Sequence, residues 1–181
     1  MKTIVCLGDS ITYGYPYGPQ ISWTHRLAEA TGYNIINRGI NGNTTSDMLS
    51  RFDRHVIAFH PDYVIIMGGI NDIIWRESHD RIVWNIEQMI KKAQNAGISV
   101  VIGMVTPIDD SEGEARLTRL REWLTEFTRE QSIPVIDFYS VFINREGQLI
   151  NELLLDGGHP TTEGYHRMFE AIPTTLFRDN E

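Results

Sequence analysis

Five short apolar runs punctuate the chain, at residues 4–7, 34–37, 63–67, 99–105 and 134–137. They are rich in Val and Ile and do not alternate strictly between apolar and polar. That is the pattern of parallel strands covered on both faces. Helical periodicity fills the gaps. Ile82, Ile86, Met89, Ile90 and Ala93 form one stripe, and Leu117, Leu120, Leu124 and Phe127 form another. Tyr165, Met168, Phe169 and Ile172 make a last one. Gly32 and Gly97 stand where helices should stop, just before strands. Thr161 or Thr162 is suited to cap the final helix, with Glu163 in its first turn. Strand and helix alternate throughout, which predicts an α/β fold with a parallel sheet and helices on both faces. No repeat, low-complexity tract or linker interrupts residues 1–181, so a single domain is expected.

Composition changes this picture little. Hydrophobic residues are 41% and charged residues 22% of the 181, ordinary values for a globular protein. A lone cysteine, Cys6, cannot form an internal disulfide. The N-terminal apolar run is too short for a signal-peptide core, and no stretch approaches the roughly 20 apolar residues of a membrane span. A cytoplasmic location is therefore expected, and the sequon Asn43-Thr44-Thr45 carries no weight. Net charge is more decisive. At −8 it argues against nucleic-acid binding and fits a neutral small-molecule substrate.

The polar residues collect at the strand ends. The first strand runs into Gly8-Asp9-Ser10, the second into Asn37-Arg38-Gly39-Ile40-Asn41-Gly42-Asn43-Thr44, and the third into Gly68-Gly69-Ile70-Asn71-Asp72. A fourth cluster, Asp156-Gly157-Gly158-His159-Pro160, precedes the last helix. In a parallel α/β sheet the carboxyl edge is where ligands bind. A serine hydroxyl needs a base to take its proton, histidine is the usual base, and an acid must orient the ring. Asp156 and His159 are three residues apart, so one turn can bring carboxylate and imidazole together, with Ser10 supplied by the first strand. Donors for a developing oxyanion are available in Ser10 N–H, Gly42 N–H and the Asn71 amide.

These blocks, taken in order, resemble those of the GDSL/SGNH hydrolases, over nearly the whole chain. The matching residues are Gly8-Asp9-Ser10-Ile11-Thr12, Gly42 within Asn-Gly-Asn-Thr, Gly69-Ile70-Asn71-Asp72, and Asp156-Gly157-Gly158-His159-Pro160. The resemblance implies a flavodoxin-like three-layer α/β/α sandwich with a five-stranded parallel sheet. It implies a triad of Ser10, His159 and Asp156, an oxyanion hole of Ser10, Gly42 and Asn71, and no metal or cofactor. Gly158 departs from the apolar residue more usual there and is expected to loosen the turn beside His159. The Gly-x-Ser-x-Gly elbow of α/β-hydrolases is absent, so the serine is expected on an open loop in a shallow site.

Other residues have plainer roles. Asp9 is expected to brace the nucleophile's loop and Asp72 the Asn71 loop, while Asp137 is a rival acid lacking a nearby histidine. Cys6 and Trp123 are expected in the core. His25, His55, His60, His79 and His166 show no zinc-ligand spacing. Tyr13, Tyr15, Tyr17 and Trp23 read either as pocket lining or as a packed surface loop, with Tyr13 and Tyr15 the candidates for the pocket. Ile73, Ile74 and Trp75 are expected to flank the acyl group. The chemistry expected is hydrolysis of small acyl or acetyl esters through an acyl-enzyme. The same triad also suits thioesters, acetylated sugars or lysophospholipids. A non-catalytic module binding phosphate or flavin is disfavoured, because neither Gly-x-Gly-x-x-Gly nor a P-loop follows the first strand.

Overall fold

Ile4, Val5, Cys6 and Leu7 are each fully buried, so the strand they form is covered on both faces. A computed structural model describes residues 1–177. That strand is β1 (Thr3–Gly8). With β2 (Asn34–Gly39), β3 (Tyr63–Met67), β4 (Ser99–Gly103) and β5 (Val135–Ile136) it forms an all-parallel sheet in the order β2-β1-β3-β4-β5. This is the flavodoxin-like order, whose direction of winding reverses between β1 and β3. The register places Gly8 beside Gly39 on one side and Met67 on the other. The three polar segments that follow therefore leave the sheet at the same level.

Helices cover both faces of the sheet. They are α1 (Ser10–Tyr13), α2 (Trp23–Thr31), α3 (Thr45–Ser50), α4 (Phe52–His55), α5 (Ile70–Ile74), α6 (His79–Asn95), α7 (Ser111–Glu130) and α8 (Thr162–Glu170). α2 packs on α8, α3 on α6, and α5 on α7. All five stripe residues of α6 are buried, as are Leu117, Leu120 and Leu124 of α7. Gly32 ends α2 in the left-handed conformation at φ 69°. Thr161, rather than Thr162, caps α8 by accepting from Gly164 N–H.

Several expectations are corrected. β2 is an edge strand and only partly buried. β5 shrinks to two residues because Phe138 N–H turns back to Ile136 O. Trp123 is only half-buried, packed against the edge of the core, and stacks on Phe127 with ring centroids 4.8 Å apart. Of the aromatic cluster after the serine, Trp23 is fully buried against Phe138 and belongs to the core.

Candidate active site

Ser10 is not on an open loop. It is the first residue of the one-turn helix α1, because Asp9 caps that turn by accepting from Ile11 N–H at 2.9 Å. The turn folds down onto β2, and Gly39 makes the approach possible. A Cβ there would lie 2.1 Å from Tyr13 N. At the other end of the chain, Asp156 Oδ1 accepts from the backbone N–H of both Gly158 (3.2 Å) and His159 (2.8 Å). Gly157 takes φ 80° to close this turn. The effect expected of Gly158 is not seen: its N–H ties the turn, and an added Cβ would meet only ordinary contacts, at 3.7 Å from Ile108.

These two local structures meet. Ser10 Oγ lies 3.0 Å from His159 Nε2, and His159 Nδ1 lies 2.7 Å from Asp156 Oδ2. With the Ser10 hydroxyl donating to Nε2, the network assigns the ring proton to Nδ1, where it is donated to the carboxylate. Burial raises the Asp156 pKa, but the His159 backbone and side-chain hydrogen bonds outweigh it, so the carboxyl is held below the usual range. A hydroxyl, an imidazole and an ionised carboxylate in series can move a proton off the serine oxygen.

Asn71 opens onto the same cleft from α5, its amide fixed by donating from Nδ2 to Asn43 O at 2.9 Å. The second Nδ2 hydrogen remains for a ligand. Asp72, fully buried, accepts from both Thr45 N–H and Thr45 Oγ1, which ties the third polar segment to the second. Gly42 (φ 78°) is exposed in the turn just before Asn43 and is not among the residues lining the cleft.

The cleft at Ser10 encloses about 300 Å³, walled by Ile70, Ile74 and Ile108 and rimmed by Asp109, Asp110 and Asp156. Of the expected wall residues, Tyr15 stands against the His159 ring with centroids 4.6 Å apart. Its carbonyl accepts from the phenol of buried Tyr165 at 2.7 Å, and burial pushes that phenol's pKa up, keeping it a donor. Tyr13 is half-buried and does not line the cleft. Ile73 is buried in the core, Ile74 faces the cleft as expected, and Trp75 is 75% exposed outside it. A larger groove of about 910 Å³ lies between α7 and β5. There Asp137 bonds Ser140 Oγ at 2.6 Å, but no histidine lines it. Among the described residues, no group of three or more His, Cys, Asp or Glu is arranged to hold a metal.

The burial of Asp9 and the role of Arg51 were not legible from motifs. Asp9 is 3% exposed, and burial pushes its pKa up to about 6. Arg51 is 7% exposed, and burial lowers its pKa to about 10, so it stays charged at neutral pH. The signal for Arg51 was its helical spacing: it stands three residues after Met48 and next to Phe52, both fully buried.

Asp9 yields a pH prediction. Its folded pKa is about 6 against 3.8 in the free group. Folding is thus unpenalised below about pH 4 and loses stability as pH rises towards 6. Asp9→Asn keeps the cap acceptor and removes the charge. It is expected to gain roughly 2–3 kcal/mol at pH 8, at about 1.4 kcal/mol per pKa unit. Urea unfolding should show that gain closing towards pH 4. Equal stability at pH 8, or a gap that widens in acid, would overturn it.

The GDSL-like lipase/acylhydrolase family model matches residues 6–167. The chain belongs to this family. It is accordingly a carboxylic ester hydrolase. Among solved structures it is similar to a lipolytic protein assigned to the G-D-S-L family from Desulfitobacterium hafniense DCB-2. The TM-score is 0.88 at 30% identity, covering 94% of this chain and 97% of the other. Among curated proteins it is 24% identical to an arylesterase of Vibrio mimicus, over 98% of this chain and 89% of the relative. It is also 24% identical to esterase TesA of Pseudomonas aeruginosa, over 97% and 88% respectively. In this GDSL-family chain, Ser10 follows the carboxyl end of β1, where the winding reverses between β1 and β3, the position at which folds of this order place their ligands.

Proposed function

We propose that this hydrolase cleaves small, uncharged acyl or acetyl esters, with Ser10 as nucleophile, His159 as general base and Asp156 as its orienting acid. The Ser10–His159–Asp156 hydrogen-bonded series carries the reading. Ser10 Oγ attacks the carbonyl carbon as its proton passes to Nε2, and the oxyanion meets Ser10 N–H, Gly42 N–H and the free Asn71 amide hydrogen. Collapse of the intermediate expels the alcohol, which takes the proton from Nε2. Water then attacks the acyl-enzyme with the same base and releases the acid. A fluorophosphonate tests the reading, since it labels only an activated serine. Stoichiometric labelling at Ser10 is expected, and an unlabelled, folded protein would refute it.

The lining of the cleft favours an uncharged substrate. Asp9, Asp109, Asp110 and Asp156 border it, and among the described residues no Lys or Arg does. An anionic leaving group, such as the phosphates of a coenzyme A thioester or a lysophospholipid, would meet like charge. At low salt, a sulfonated phenyl acetate is expected to show kcat/KM roughly tenfold below phenyl acetate, the gap narrowing at 0.5 M salt as charges are screened. Equal or faster hydrolysis of the anion at low salt would rule this preference out.

A further inference from the structure

Arg51 stands at the junction of α3 and α4, and its guanidinium makes four contacts on three sides. Nη2 donates to Gly8 O at 2.9 Å and Nη1 to Arg38 O at 3.0 Å. Nε donates to Asn43 Oδ1 at 2.7 Å, and Nη1 lies 3.2 Å from His55 Nδ1. Gly8 is the last residue of β1, two before Ser10. Arg38 is the penultimate residue of β2, and Asn43 follows Gly42. Asn43 in turn holds the Asn71 amide through its carbonyl. One buried cation therefore touches the segments of Ser10 and Gly42 directly, and reaches Asn71 through one intervening residue. Its partners here are carbonyls, an amide oxygen and an imidazole nitrogen. Such a placement costs hydration, and among the described residues no carboxylate is in contact to offset it.

We infer that Arg51 is a positioning residue for the oxyanion hole. It pins Asn43, whose carbonyl holds the Asn71 amide, so that the second Asn71 amide hydrogen keeps a fixed spacing from Ser10. This rests on the reading of Ser10, Gly42 and Asn71 as that hole. The rigid fork is what the task requires. Lysine keeps the charge but cannot direct bonds at Gly8, Arg38 and Asn43 together. The role acts on the transition state, so it should appear in kcat rather than KM.

The experiment measures kcat and KM for 4-nitrophenyl acetate, per serine titrated with a fluorophosphonate, in R51K, R51M, N43A, N71A and the doubles with N71A. N71A is expected to lose about 100-fold in kcat. R51K and R51M should lose about 10- to 100-fold and N43A about 10-fold, with KM within about threefold of wild type. Each double with N71A should match N71A alone within about threefold, because a residue acting through Asn71 has nothing left to position. A merely structural arginine would give losses that multiply, and that result overturns the proposal. So would wild-type kcat per titrated serine in R51K. Should R51M fail to fold, N43A removes one acceptor and leaves the guanidinium its other partners; wild-type kcat there overturns the relay. N71A with wild-type kcat would instead overturn the hole on which the proposal rests.

Discussion

Ser10→Ala is expected to lower kcat for 4-nitrophenyl acetate by about 10⁴-fold or more, while the melting temperature stays within about 2 °C of wild type. The hydroxyl is the group that would carry the acyl chain, and without it neither base nor oxyanion donors have a bond to form. The fold has little reason to respond. Ser10 contributes a side-chain hydrogen bond to His159, and the imidazole keeps its 2.7 Å bond to Asp156 in the variant. Asp9 still caps α1 through Ile11 N–H. Steady-state kinetics and a thermal melt decide the matter together. A variant that turns over within tenfold of wild type would remove Ser10 from the mechanism.

Asp156→Asn is expected to cost nearly as much, about 10⁴-fold in kcat. The reason is the direction of one proton. Asparagine can keep its oxygen on the N–H groups of Gly158 and His159, so the turn survives. Its amide nitrogen then faces His159 Nδ1 as a donor. The ring must present Nδ1 as an acceptor, which moves its proton to Nε2, against Ser10. An imidazole protonated there cannot take the serine's proton. In the native chain the hydrogen bonds to Asp156 hold its carboxyl below the usual range, so mild acid leaves this orienting charge in place. A crystal structure or histidine NMR of the variant should show an intact turn with the proton moved. Retention of more than about a tenth of wild-type kcat would count against the assigned acid.

Much of this was legible in the chain, for a physical reason. Buried parallel strands are short, Val- and Ile-rich and end in polar turns, so β1 and β3 and the segments after them stand out. Asp156 and His159 could be paired because their contact is local. What escaped reading depended on neighbours. β2 and β5 lie at the sheet's edges, where burial and pairing change their character and extent. Four-residue α1 is too short to show a period, and its signal was the Asp9 cap alone. Of Ile73 and Ile74, both expected at the cleft, only Ile74 reaches it, because in a helix consecutive side chains turn by about 100°, so one faces the core and the next the cleft. Two of the four partners of Arg51 are backbone carbonyls, which leave no mark on the residues that supply them.

The distance along the chain between Ser10 and His159 is 149 residues. During synthesis at roughly 5–20 residues per second, the hydroxyl is made about 7–30 s before the imidazole that would activate it. For that interval the nascent polypeptide carries an ordinary alcohol beside the metabolite pool. In the proposed mechanism the segment that carries Asp156 and His159 therefore serves as the switch. Reactivity arrives only once residue 159 has been made, so an aborted translation product ending before it would be chemically silent.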